Sequence, residues 1–139
     1  MVLELLLLIL LLYFFYFFNS KHSFVVHKIH SLSLMLKHVH SSFSPHSSLN
    51  FQIIESTTST WVQNKFIIHL LIWNFNSNSP FDDNTLAFAA IHELAHILCP
   101  DNEHTPLFDI IESKLLSIAE HLGYYSPSLF INLDYPCTL

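Results

Sequence analysis

Arginine is missing from this chain of 139 residues, glycine occurs once, cysteine twice, and only 12% of the residues carry charge. Without arginine, and with five basic residues against eleven acidic ones, the chain lacks the basic footprint of a direct DNA or RNA binder. The imbalance is steepest from residue 81 onward, where nine acids face Lys114 alone, a net charge of −8. Cys99 and Cys137 can pair only if the fold brings them together, and a cytosolic domain would keep them reduced. The single glycine, Gly123, stands where a helix C-cap is wanted.

What the chain has in excess is apolar surface, 51% of its residues, concentrated at the N-terminus. Residues 5–18 are an unbroken apolar run, short for a spanning helix of about 20 residues, but residues 1–19 reach a marginal span if Glu4 lies among headgroups. A cleaved signal peptide fits poorly, because Glu4 stands where Lys or Arg is usual and no small-x-small site follows Phe18. Residues 1–19 are therefore expected to be an uncleaved membrane anchor. Lys21, Lys28 and Lys37 follow it with no basic residue before it, which predicts an N-terminus facing out and a cytosolic domain.

Residues 20–50 alternate serine and histidine and read as a linker. Within them Val26, Ile29, Leu32, Leu36 and Val39 recur at helical spacing, as in a short amphipathic helix lying on a membrane or on the domain. From Phe51 the pattern turns to strands: alternation over 51–55, a turn at 56–59, and a β-rich run over 66–73. After a loop at 74–80, residues 82–99 read as a helix with N-cap side chains at Asp82, Asp83 and Asn84 and a stop at Pro100. That helix is apolar nearly all round, so it should be buried. A second helix over 105–122 should present Phe108, Ile111, Leu115, Ile118, Ala119 and Leu122 to the core, and the tail from 124 to 139 reads as irregular or a short strand. The expected fold class is α+β, with one small domain over 51–139.

The buried helix carries His92-Glu93-Leu94-Ala95-His96. Residues four apart share a helix face, so His92 and His96 can reach one metal ion, with Glu93 beside it to take a proton from a water. Polar groups in an apolar helix need a partner, since each left unsatisfied costs about 1–3 kcal/mol. A catalytic zinc takes three protein ligands and keeps a position for water. His104 leads for the third, after the turn at 99–102; Glu112, Glu120 and Cys99 are rivals. A non-catalytic interaction protein with a structural zinc is the alternative, and needs a fourth ligand, with Cys99 or Asp101 available.

The stretch from His92 through His104-Thr-Pro-Leu-Phe108 resembles the WLM-type and SprT-like zinc metallopeptidases, and is most similar to small metallopeptidases of large DNA viruses. The similarity runs over roughly residues 60–125, including Asn64-Lys65 and Asn84-Thr85-Leu86. It implies a minimal zincin-like domain in which His92, His96 and His104 bind zinc (Zn2+) and Glu93 is the general base. The expected substrate is a protein or peptide. Phe108 is expected to pack, and Tyr124, Tyr125 and Tyr135 to be packing residues before oxyanion donors. Glu103, beside the third histidine, is a candidate either to orient His104 or to distort the turn.

Overall fold

The computed structural model describes residues 2–129, 131–132 and 135–136. Three helices and two small sheets follow in the order α1 (Val2–Phe43), β1 (Gln52–Glu55), β2 (Trp61–Gln63), β3 (Ile67–Leu70), β4 (Trp73–Asn74), β5 (Ser79–Pro80), α2 (Asp83–Leu98) and α3 (Pro106–His121). The fold is α+β, with a small sheet before the motif helix and a second helix after it. Among the described residues the tail carries no strand.

The central strand is β3, parallel to β1 on one side and antiparallel to β2 on the other. The apolar run at 66–73 is therefore not one strand. After Leu70 the ladder ends: Leu71 donates its N–H to Thr60 Oγ1 (3.0 Å), and Trp73 and Asn74 turn into a hairpin against Ser79 and Pro80. The edge strand β2 was not foreseen, being only three residues long. It joins β3 through Asn64, Lys65 and Phe66, a turn closed by the Phe66 N–H on the Gln63 carbonyl (3.1 Å) with Asn64 and Lys65 left-handed at φ 53° and 56°.

The two helices of the motif region lie where expected. Asp82 caps α2 by accepting from the N–H of Thr85, and Thr105 caps α3 by accepting from the N–H of Phe108, with Pro106 opening the helix. Gly123, at φ 78°, takes the left-handed position just past the C-cap Leu122. Eleven of the sixteen α2 residues are buried, as its all-round apolarity predicts, and α3 buries Phe108, Leu115 and Ala119 against it.

The expected linker at 20–50 is corrected by α1, which continues without a break to Phe43. Its C-terminal half belongs to the core: Val25, Leu32, Met35, Leu36 and Val39 are buried with β1, β3, α2 and α3. Serine and histidine are indifferent helix formers, but an apolar stripe packed on a domain outweighs such weak preferences. The stripe also begins one position earlier than the spacing suggested, since Val25 is buried and Val26 exposed. The domain boundary at residue 51 is thus too late. By contrast, every large hydrophobic side chain from Leu3 to Phe18 is exposed, and this is a helix long and apolar enough to cross a membrane.

Candidate metal centre

Helix α2 places His92 and His96 one turn apart, and the loop after Cys99 returns His104 to the same point before α3 begins. One ligand nitrogen from each histidine lies within 4.8 Å of the others, so the three can hold a metal ion. His96 Nε2 and His104 Nε2 are 3.0 Å apart. Ligands of a tetrahedral ion with bonds of about 2.0–2.1 Å stand about 3.4 Å apart, so the wider of these pairs close by up to about 1.4 Å to complete the cluster. Phe108, buried at the start of α3, lies beneath all three imidazoles, with ring centroids 5.2, 4.4 and 4.5 Å from His92, His96 and His104. Its expected packing role is therefore packing of the site itself.

Unsatisfied polar atoms mark the same spot. His92 Nε2 and both carboxylate oxygens of Glu93 are buried without a hydrogen-bond partner. Orphaned buried atoms of this kind call for a ligand, and a cation fits both the donor set and the adjacent carboxylate. Burial, the largest influence, pushes Glu93 up to about 7, while nearby His92 lowers it and Glu112 raises it. Burial also drives His96 down to about 4, with His92, His104 and Lys65 adding positive charge nearby. At neutral pH His96 is therefore the neutral imidazole a metal requires.

The other nitrogen of His92 explains why its Nε2 faces the cluster. Nδ1 bonds Glu112 Oε1 at 2.6 Å, the carboxylate–histidine arrangement that fixes tautomer and ring orientation at metal sites. Glu112, weighed from sequence as a rival ligand, thus stands behind His92 and outside the histidine cluster. Its partnership with His92 was invisible because it depends on how α3 crosses α2. Glu103 is exposed and makes no hydrogen bond to His104. Neither Cys99, buried in the core, nor Asp101, whose carboxylate accepts from Thr105 Oγ1 at 2.6 Å, joins the three histidines. Glu120 is likewise outside the cluster, and the possible pairing of Cys99 with Cys137 falls outside the described residues.

Replacing Glu112 by Gln should weaken metal affinity by about 10–100-fold, the usual effect of losing an orienting carboxylate. Competition against a chromophoric chelator measures it. An unchanged affinity would mean that Glu112 does not orient His92.

Sequence reasoning missed a second support. Lys65 Nζ donates to three backbone carbonyls at the end of α2, those of His96 (2.7 Å), Cys99 (2.9 Å) and Asp101 (2.7 Å). The His96 carbonyl lies in the last turn of α2, where no helical partner follows, those of Cys99 and Asp101 lie past it, and a cation at a helix C-terminus also meets the negative end of its dipole. Left-handed backbone at Lys65 costs about 1–2 kcal/mol, which the three bonds to a charged group offset. The lysine ties the β2–β3 turn to the segment that separates His96 from His104. The only signal in the sequence was an Asn-Lys pair between apolar runs.

Beside the cluster opens a cleft of about 440 Å³, lined by Trp61, Val62, Asn64, Lys65, Glu93, His96 and Asn102. Its wall is the edge strand β2, whose Trp61 stacks flat on His69 at 3.9 Å. None of the three tyrosines lines this cleft: Tyr124 bonds His38, Tyr135 bonds the carbonyl of Leu71, and Tyr125 packs near Phe88, whose ring lies 6.4 Å from that of His92.

The chain is similar to viral proteins. An uncharacterized protein of Invertebrate iridescent virus 3 is 45% identical over 78 residues, 56% of this chain and 48% of the relative. Uncharacterized proteins of Invertebrate iridescent virus 6 and Acanthamoeba polyphaga mimivirus are 44% and 41% identical over 32% and 39% of this chain, and a quarter of each relative. The matches thus span about half the length of the first relative and less of the others. No family model matches, and no solved structure matches.

Proposed function

We propose that this chain is a membrane-held zinc peptidase of the zincin type, with His92, His96 and His104 as metal ligands and Glu93 as general base. The observation that carries the reading is a three-histidine cluster paired with a fully buried carboxylate whose oxygens have no partner. A structural zinc wants four protein ligands and has no use for such a carboxylate. Among the described residues the cluster offers three.

When bound, zinc supplies Lewis acidity at the cleft and an acidified water. Glu93, held near neutrality by burial, accepts a proton at a carboxylate oxygen and returns it to the departing amine. Glu112 fixes the His92 ring, and Phe108 packs under all three imidazoles. The edge strand β2 along the cleft suits an extended peptide, whose backbone can pair with a sheet edge. Helix α1 crosses the bilayer through Phe18, and Lys21, Lys28 and Lys37 hold the domain on the cytosolic side.

Mass spectrometry of the full chain purified in detergent should find one zinc per chain, and His104→Ala should lose it. Chelation should stop cleavage of a denatured protein substrate and zinc should restore it. A chain that takes up no zinc overturns the proposal.

A further inference from the structure

We infer that the β4–β5 hairpin is a second membrane contact, a foot that sets the exposed Phe75 among the headgroups of a phospholipid bilayer, with the buried Trp73 behind it. The inference depends on the proposed crossing of the bilayer by α1 and adds a contact that no apolar run in the sequence announces.

Helix α1 enters the domain without a joint, so the distance from its bare apolar part to the domain is fixed. The last residue of the apolar run is Phe18, and the first buried side chain is Val25. Between them the helix meets the hairpin. Lys21 Nζ lies 4.9 Å from the Trp73 ring centroid and 4.2 Å from that of Phe75, and Phe24 meets Trp73 edge-on at 6.2 Å. Lys21 is three residues past Phe18, a rise of about 4.5 Å. The rings that surround it therefore sit about one helical turn from the end of the apolar surface.

The headgroup layer is thick enough to reach them. Beyond the hydrocarbon core of about 30 Å, each polar interfacial region adds about 5–7 Å, so rings one helical turn past Phe18 lie within it, where Lys21 can snorkel to the phosphates. The hairpin therefore stands in the headgroup layer. Its chemistry suits the place: Phe75 is 53% exposed, Trp73 is buried behind it against α1, and residues 73–80 contain no charged side chain. Asn76, Ser77 and Asn78 at the turn can hydrogen-bond headgroups without desolvating a charge.

Trp61 and Trp73 are the two tryptophans, so Trp61→Phe in the full chain leaves Trp73 as the reporter. In phosphatidylcholine vesicles its fluorescence should fall when the lipid is brominated at a shallow acyl position, and fall less with deep bromines. Phe75→Asp should relieve this quenching and Phe75→Leu should preserve it, with circular dichroism confirming that both variants fold. Absence of quenching in a chain that resists alkaline carbonate extraction would overturn the foot and leave the α1 anchor standing. Release of the chain by carbonate would overturn both. Equal quenching in all three chains would show that Phe75 does not seat the hairpin, and would overturn the foot as described.

Discussion

Glu93→Gln should abolish detectable peptide cleavage while making the metal-free protein more stable above neutral pH. Losing a general base lowers the rate by about 10²–10⁴-fold, and a Gln of the same shape leaves the three histidines untouched, so zinc content should not change. The stability gain follows from burial. Glu93 titrates near 7 in the fold, against 4.5 for a free side chain. Below pH 4.5 the carboxyl is protonated in folded and unfolded states alike, and the substitution should be nearly neutral. Between 4.5 and 7 the unfolded chain ionises first, so the wild type loses stability as pH rises and the Gln variant does not share that loss. Above 7 the difference levels off at roughly 3 kcal/mol. Urea unfolding of chelated protein at pH 4.5 and pH 8, beside a cleavage assay, measures both effects. Retained cleavage, or identical stabilities at pH 8, would remove Glu93 from its proposed role.

The second large effect is expected far from the histidines, in the helix that the sequence presents as a linker. Leu36 is fully buried under the sheet and helices. Leu36→Ala should cost about 2–5 kcal/mol, the transfer of a buried side chain plus the cavity it leaves, a large part of the about 5–15 kcal/mol that holds a small domain together. By the same reasoning a fragment of residues 51–139, without Val25, Leu32, Met35, Leu36 and Val39, should not unfold cooperatively. Longer fragments that keep residue 25 onward should. Thermal denaturation by circular dichroism separates the two, and a sharp transition in the shorter fragment would contradict this assignment of the core.

The motif helix and its successor were legible because their signals are local: Asp82 as a cap, Pro100 as a stop, Gly123 at the close, and the three histidines by spacing. What escaped depends on neighbours distant in sequence. The serine and histidine content of residues 20–50 argued for a linker with at most a short helix at the spacing of Leu32, Leu36 and Val39, and the domain surface that receives Val25 and Leu36 joins it to α1 as one helix. Trp61 to Gln63 form a strand because β3 lies alongside, a fact that three residues cannot carry. Glu112 reaches the His92 ring from 20 residues after it, and Lys65 the His96 carbonyl from 31 residues before it. Their chemistry was visible, but not their company.

The unbroken run of α1 from the apolar end into the core also acts as a ruler. A catalytic domain on a flexible tether samples a wide shell of positions and meets substrates at any height above a surface. Here the joint is missing, and the cleft beside β2 is held at one height. Under the proposed function, cut sites would then be selected by their distance from the bilayer as well as by their side chains. Inserting a flexible spacer after Asn19 would trade that positional selectivity for reach.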